Sequence, residues 1–281
     1  SISIAVDSNK AMIKSGRSRF SLSTLPAEDF PSLDSINTVA EFDLPQATLK
    51  ELIEKTSFAM ALQDVRYYLN GLLLEVSTGL LRAVATDGHR LAYCEKQAEC
   101  DITEIKQVIV PRKGIQELVR LLDVSDEPLK ILLGSNHIRV EVGDIRFTSK
   151  LIDGRFPDYN RVIPEDGNNT ITADRDNLRQ ALVRASILSN EKYRGIRLVI
   201  DGDVLLLQAQ NPDQEEADVE VEVDYKGDAL EIGFNVNYML DVLSVTDAKS
   251  VQATLRDSNS SCLMTYPDLP DCKYVIMPMR L

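Results

Sequence analysis

The chain has 281 residues, 44% of them hydrophobic, a formal charge of −13 and no tryptophan. That length and apolar content fit two packed domains comfortably and exclude a disordered or fibrous chain. The charge excludes a protein that coats nucleic acid through overall charge, although an acidic exterior is compatible with a locally basic face.

In chain order, Ser1-Ile2-Ser3-Ile4-Ala5-Val6 has a strand's composition and lacks an initiator Met, a basic n-region and a cleavage pattern, so the expectation is a cut through a strand. Leu25 to Glu41, carrying Pro26 and Pro31, reads as a connector. Pro45 to Ser57 is a predicted amphipathic helix, with Leu49, Leu52, Ile53 and Thr56 at helical spacing. Strands are predicted at Tyr67 to Glu75, Leu80 to Thr86 and Arg90 to Cys94, with Asn70-Gly71, Thr78-Gly79 and Asp87-Gly88 as turn signals. After Val108-Ile109-Val110 a helix is predicted over Pro111 to Leu122, then strands at Leu129 to Leu133, His137 to Val142 and Ile145 to Leu151. Asp153 to Asn169 is a second connector.

The same order then recurs. A helix is predicted over Asp174 to Ser186, strands over Ile196 to Ile200, Val204 to Ala209, Ala217 to Val223 and Leu230 to Phe234, and a helix over Asn235 to Val245. Strands at Ser250 to Leu255, Ser261 to Thr265 and Lys273 to Arg280 close the chain. The longest apolar runs, such as Val204-Leu205-Leu206-Leu207, are strand-sized and fall far short of the ~20 residues that cross a bilayer.

This recurrence is visible residue by residue. Ser15-Gly16-Arg17-Ser18-Arg19-Phe20-Ser21-Leu22, continuing to Phe30-Pro31, is echoed by Val142-Gly143-Asp144-Ile145-Arg146-Phe147-Thr148-Ser149, continuing to Phe156-Pro157. Thr48 to Ile53 is echoed by Asn177 to Leu182, 129 residues on against 127 shrinking to 126 for the first echo, a spacing too long for a solenoid and the size of a small domain. The organisation expected is therefore the tail of one unit followed by two whole ones.

Cys94, Cys100, Cys262 and Cys272 include no C-x-x-C pair and have two histidines to assist them, so no metal site is assigned and reduced thiols are expected. Thr86-Asp87-Gly88-His89-Arg90-Leu91 invites a hydrolase reading through Asp87 and His89, but an Asp-Gly turn explains it more simply, and no P-loop, G-x-S-x-G, H-E-x-x-H or G-x-G-x-x-G accompanies it. Tyr67 and Tyr68, beside Gln63 and Arg66, suit base stacking, whereas strand alternation puts one ring in the core. Lys50, Lys55, Arg112, Lys113, Arg175, Arg179 and Arg184 lie off the apolar helix faces, ordinarily a solvated surface, and their recurrence in both units suggests a common basic lining. The Met-rich end Tyr274 to Leu281 suits either a buried edge strand or an adaptable peptide groove.

Four segments carry a specific resemblance: Gln63 to Gly71, Ala85 to Ala92, Asp153 to Tyr159, and Met277-Pro278-Met279-Arg280-Leu281. Over essentially the whole chain it resembles the bacterial replicative sliding clamps, the beta subunit of DNA polymerase III. The resemblance implies an α+β DNA-clamp fold of tandem similar domains, each with two helices packed on antiparallel sheets. It divides the chain into a C-terminal remnant of domain 1 at residues 1–42, domain 2 at 43–158 and domain 3 at 159–281. It also implies a cytoplasmic, non-enzymatic processivity factor without cofactor or metal, which encircles duplex DNA as a homodimeric ring. Its partners would be the DNA polymerase III alpha subunit, the clamp loader and other replication and repair factors.

By position, the implied partner-peptide groove comprises Arg66, Leu69, Thr86, Gly88, His89, Arg90, Leu91, Pro157, Arg161, Val162, Tyr193, Asn235, Tyr238, Asn259 and Ser261, completed by Val275, Ile276, Met277, Pro278, Met279, Arg280 and Leu281. Gln63, Tyr67, Tyr68, Arg112 and Lys113 would face DNA. Phe20 and Leu22 of one subunit would meet Ile187 and Leu188 of the next, and a shortened first domain leads one to expect poor ring closure by this chain. A hydrolase or a purely structural oligomerisation module are the competing expectations.

Overall fold

Strand leads directly into helix four times in this chain, and that unit organises the fold. The computed structural model describes residues 1–30, 37–100, 102 and 104–280, so Pro31 and Leu281 lie outside the described residues. Two bodies are distinguished, Ser1–Asn37 and Thr38–Leu281.

In the first body, β1 (Ile2–Asp7), β2 (Lys10–Ser15) and β3 (Ser18–Ser23) form an antiparallel sheet. The register aligns Ile4 with Ile13 and Phe20, and Val6 with Ala11 and Leu22, so one face is apolar. Phe20 and Leu22 on that face are more than half exposed.

The first repeat of the second body runs β4 (Thr38–Pro45), α1 (Gln46–Thr56), β5 (Gly71–Ser77), β6 (Leu80–Thr86), β7 (Arg90–Gln97), β8 (Lys106–Pro111), α2 (Arg112–Leu121), β9 (Pro128–Gly134), β10 (His137–Val142) and β11 (Ile145–Lys150). The second runs β12 (Asn169–Asp174), α3 (Arg175–Ser186), β13 (Gly195–Asp201), β14 (Val204–Gln210), β15 (Glu216–Glu222), β16 (Asp224–Lys226), β17 (Leu230–Asn235), α4 (Val236–Ser244), β18 (Ser250–Leu255), β19 (Cys262–Tyr266) and β20 (Leu269–Ile276).

Each helix starts where its strand stops, and each places its first backbone N–H in the same way. Gln46 donates to the Glu127 carbonyl at 3.1 Å, Arg112 to Asn70 at 3.0 Å, Arg175 to Lys249 at 2.9 Å and Val236 to Arg194 at 2.8 Å. These bonds satisfy donors that a helix cannot satisfy internally. Asp174 and Asn235 add side-chain caps on α3 and α4. The inward stripes of all four helices are buried, including Leu49, Leu52, Ile53, Ile115, Leu118, Leu178, Leu182, Met239 and Leu243.

The two repeats meet in one nine-stranded antiparallel sheet of order β16-β12-β18-β19-β20-β7-β6-β5-β8, flanked by the sheets β11-β10-β9-β4 and β15-β14-β13-β17. The seam is β20 against β7, with Val275 opposite Leu91 and Ile276 opposite Arg90.

Several expectations need correction. Tyr67 does not begin a strand: Tyr67–Leu69 is a 3-10 turn, bracketed because Asp64 N–H donates to Asn70 Oδ1 at 2.8 Å and Asn70 Nδ2 donates back to the Asp64 carbonyl at 2.8 Å. Strand alternation therefore does not apply to Tyr67 and Tyr68. The connector expected up to Glu41 gives way to β4 from Thr38, since Ala40, Phe42 and Leu44 pair with Leu133, Ile131 and Leu129 of β9. The terminal strand ends at Ile276: Met277 adds one more bond in the same register, its N–H to the His89 carbonyl, but Pro278 has no N–H to give and Met279 turns to the Gly233 carbonyl. Asp224–Lys226 is an additional strand, paired to β12.

The cysteines also depart from expectation. Cys94 and Cys272 stand directly opposite each other across the β7–β20 seam and form a disulfide, while Cys100 and Cys262 are buried free thiols. Burial pushes the Cys262 thiol up to about 12. Among the described residues no helix is long and apolar enough to cross a membrane.

Candidate functional site

Beside the seam lies a cavity of about 370 Å³ lined by Arg66, Tyr68, Leu69, Thr86, Gly88, Arg90, Leu91, Phe156, Pro157, Tyr159, Arg161, Val162, Ser261, Val275 and Met277. Three structural sources supply it: the turn before β5, the β6–β7 turn, and residues 156–162, with strand ends of the second repeat closing the far side. Its floor belongs to a second apolar cluster, containing Leu73, Val84, Leu91, Tyr93, Ile109, Phe156, Tyr159 and Val275. This is a small, mainly apolar recess with a polar rim, the arrangement that admits an apolar side chain and orients it by a few contacts.

The β6–β7 turn is fixed by its own side chains. Thr86 Oγ1 donates to the Arg90 carbonyl at 2.6 Å and accepts from Gly88 N–H at 3.0 Å, while Asp87 Oδ1 accepts from the N–H groups of His89 and Arg90 at 2.9 and 3.0 Å. Gly88 has φ +90°, a conformation that favours glycine, and a Cβ there would sit 2.8 Å from both terminal nitrogens of Arg66 and push the guanidinium aside. Arg66 grips Asp64 through Nε to Oδ1 at 3.0 Å and Nη2 to Oδ2 at 2.9 Å, and donates to the Asp87 carbonyl at 3.1 Å. The Arg66 hydrogen bonds hold the Asp64 carboxyl down at about 2.

Arg90 joins the repeats. It donates to Asp87 Oδ2 at 3.1 Å and the Phe58 carbonyl at 2.9 Å, pairs with Asp241 of α4, and lies over the rings of Tyr238 and Phe58 at 4.5 and 5.3 Å.

Beneath the cavity a polar row crosses four strands. Gln107 Nε2 donates to Glu75 Oε2 at 2.6 Å, Arg82 Nη1 to Glu75 Oε1 at 2.7 Å, and Arg82 Nε to Glu95 Oε2 at 2.7 Å. Tyr159 Oη donates to Glu75 Oε1 at 3.0 Å. Burial pushes the Glu75 carboxyl up, but the bonds from Gln107, Arg82 and Tyr159 together outweigh it and hold the group below its ordinary range. Tyr159 is pushed up to about 12, first by burial and then by the Glu75 charge, and so stays a donor.

Twelve of the expected groove residues line this cavity: Arg66, Leu69, Thr86, Gly88, Arg90, Leu91, Pro157, Arg161, Val162, Ser261, Val275 and Met277. Tyr68, assigned to DNA from sequence, lines it too, and Phe156 and Tyr159 were not expected there. Tyr193, Met279 and Arg280 line a separate, more polar hollow of about 590 Å³ with Gln208, Gln210, Glu216 and Asp218. His89 contributes its carbonyl to Met277, Asn235 caps α4, Asn259 lies in an exposed turn, and Tyr238 stacks on Arg90. Ile276 is fully buried in the main core, and the half-buried Pro278 lies between the two donors of the tail.

The helix cations are more engaged than an exposed face implies. Lys50 donates to the Leu122 carbonyl at 2.8 Å, Lys55 to Val245, Arg112 to Met60 at 3.1 Å, and Arg175 to Ala248 and Leu243 at 3.1 and 3.2 Å. Several of these acceptors are helix-end carbonyls, where a cation is favoured. Arg179 reaches Ser244 Oγ at 3.4 Å. Lys113, Arg184, Gln63 and Tyr67 are exposed. Ile187, after α3, is exposed and Leu188 half-buried.

Family models for the DNA polymerase III beta subunit match residues 43–158 (central domain), 160–280 (C-terminal domain) and 1–34 (N-terminal domain). The chain belongs to the DNA polymerase III beta subunit family. Among its relatives, the beta sliding clamp of Pseudomonas aeruginosa is 56% identical over 280 residues and that of Escherichia coli K12 52%, in each case over 100% of this chain and 76% of the relative. A crystal structure of the Pseudomonas aeruginosa DNA polymerase III subunit beta superposes with a TM-score of 0.93, covering 99% of this chain and 77% of that one. The Thermotoga maritima beta subunit, 30% identical, superposes at 0.89 over 100% of this chain and 76% of that one. This member of the beta subunit family is accordingly a DNA sliding clamp, a processivity factor and not an enzyme. The hydrolase alternative also lacks chemistry, because the Asp87 carboxylate is spent on backbone N–H groups and Arg90.

Proposed function

We propose that the cavity is a docking groove for a short linear motif of replication and repair proteins, the DNA polymerase III alpha subunit and the clamp loader among them, and that the chain acts in the cytoplasm as part of a homodimeric ring around duplex DNA. The domains are taken as 1–42, 43–158 and 159–281. The observation that carries the reading is the apolar recess walled by Leu69, Leu91, Pro157, Val162, Val275 and Met277. A solved Pseudomonas aeruginosa clamp, 56% identical and with a TM-score of 0.91, was crystallised with griselimycin bound, which supports ligand capture by this family.

Ring formation has support in the internal repeat. β7 of the first repeat is capped by β20, the last strand of the second, whereas β15, the counterpart of β7, is an open edge. The counterpart of β11 in the first body is β3, so β3 of one subunit would cap β15 of the next. That pairing would bring Phe20 and Leu22 toward Ile187 and Leu188 of the neighbour, which follow α3, the helix packed on β15. Gln63, Tyr67, Tyr68, Arg112 and Lys113 are the proposed DNA contacts; a topological link needs only weak, sequence-independent ones.

A peptide with two apolar anchor residues is expected to bind with modest affinity, and Met277→Ala to weaken it about 5–10-fold by calorimetry, since Met277 supplies an apolar wall. Equal affinity for both proteins would remove the groove assignment. On loaded DNA, retention on closed circles and loss on linearisation are expected in a sedimentation assay. Equal retention on both forms would rule out topological binding.

A further inference from the structure

Glu75 is an oddity on β5: a carboxylate within Leu72-Leu73-Leu74-Glu75-Val76, only 5% exposed. Buried charges are rare unless paired. Here Oε1 accepts from Arg82 and Tyr159 and Oε2 from Gln107, so the carboxylate is satisfied from three directions. Arg82 and Gln107 face it from the neighbouring strands β6 and β8. Tyr159 comes from somewhere else.

Tyr159 belongs to residues 153–163, which cover this face of the sheet with a single 3-10 turn, Tyr159–Arg161, and no strand of their own. That segment supplies Phe156, Pro157, Tyr159, Arg161 and Val162 to the cavity. Ile152 anchors its start through an N–H to the Ile109 carbonyl at 2.9 Å, and the N–H groups of Val162 and Ile163 turn back to the Tyr159 carbonyl at 3.0 and 3.4 Å. Among the described residues, the hydrogen bond from Tyr159 to Glu75 is the one that ties residues 153–163 to the sheet. Phe156 and Tyr159 add apolar contacts, Tyr159 against Tyr93 at 5.8 Å between ring centroids, but apolar packing is non-directional and leaves the segment's position along the sheet less well set than a hydrogen bond does.

We infer that Glu75 is a positioning residue of the cavity: through Tyr159 it holds residues 153–163 in the geometry that admits a partner's apolar side chain. The inference rests on the groove reading. Glu75 touches no partner itself; Gln107 and Arg82, the latter held in turn by Glu95, keep its carboxylate in line with the Tyr159 hydroxyl.

The test compares Tyr159→Phe and Glu75→Gln with the wild-type protein, using the same two-anchor peptide well below the melting midpoint. Tyr159→Phe removes one hydroxyl and keeps the ring; Glu75→Gln keeps an oxygen that accepts from Tyr159 but loses the charge facing Arg82. Positioning predicts opposite orders: Tyr159→Phe weakens the peptide about 3–10-fold and Glu75→Gln less, whereas Glu75→Gln lowers the melting midpoint more. Wild-type affinity in Tyr159→Phe, or affinity losses that simply follow the stability losses, overturns the inference. Failure of the wild-type protein to bind the peptide, or indifference to Met277→Ala, would instead strike the groove reading.

Discussion

Replacing Cys94 and Cys272 together by alanine is expected to lower the unfolding free energy by about 2–5 kcal/mol. The two sulfurs join residues 178 apart in sequence, so the bond closes a very long loop in the unfolded chain, and the chain-entropy argument places the effect at the upper end of that range. It also sits on the one ladder that, among the described residues, joins the two repeats, with Lys273–Tyr93 and Tyr274–Ala92 as the next pairs. Both cysteines are buried, so the bond is shielded from exchange while the protein is folded. Urea unfolding with and without reductant gives the stability difference. Thiol titration gives the covalent state: two thiols, Cys100 and Cys262, in the unreduced unfolded protein and four after reduction. Four thiols without reductant would show that the seam is held by the ladder alone.

That bond illustrates why part of the structure was not legible in the sequence. The helices were, because Leu49-Leu52-Ile53 and Leu178-Ala181-Leu182 repeat at 3.6-residue spacing and enter from a strand through Pro45 or Asp174. Cys94 and Cys272 belong to different repeats, and a register between strands that distant in sequence leaves no local mark. Tyr67 has a strand's composition, but Asp64 and Asn70 bond around it and close a local turn, a side-chain competition with the backbone that propensity does not register.

In the cavity, Thr86, Gly88, Arg90, Leu91, Val275 and Met277 are walls among the residues that the resemblance implies, while Phe156 and Tyr159 are not among them. A signal existed: two aromatics inside a connector rich in Pro and Gly demand a surface to cover. Glu75 carried a signal too, as the lone charge in an apolar run. Neither could name its partner, since the Glu75–Tyr159 contact spans 84 positions.

Arg90→Ala is expected to cost about 3 kcal/mol of stability and to weaken peptide binding, because a 12%-exposed side chain holds three elements at once. Its partners do not contribute equally. Asp241 is 46% exposed, so water screens that ion pair, and its coupling to Arg90 in a double-mutant cycle should stay below about 1 kcal/mol. Asp87 is 17% exposed and keeps its backbone donors, but its carboxylate loses the only side-chain cation bonded to it among the described residues. The Phe58 carbonyl loses its donor, and the guanidinium leaves a gap between the Phe58 and Tyr238 rings. The larger share of the loss therefore comes from the carbonyl, Asp87 and the two rings. Arg90→Lys should recover little, since one ammonium cannot reach Asp87, Asp241 and Phe58 together or lie flat between two rings. Urea melts of Arg90→Ala, Arg90→Lys, Asp241→Asn and the Arg90→Ala/Asp241→Asn double variant decide the matter. A coupling of several kcal/mol with Asp241 would mean that the seam is held by that ion pair, whereas a loss under about 1 kcal/mol for Arg90→Ala would mean that β20 on β7 holds it without help.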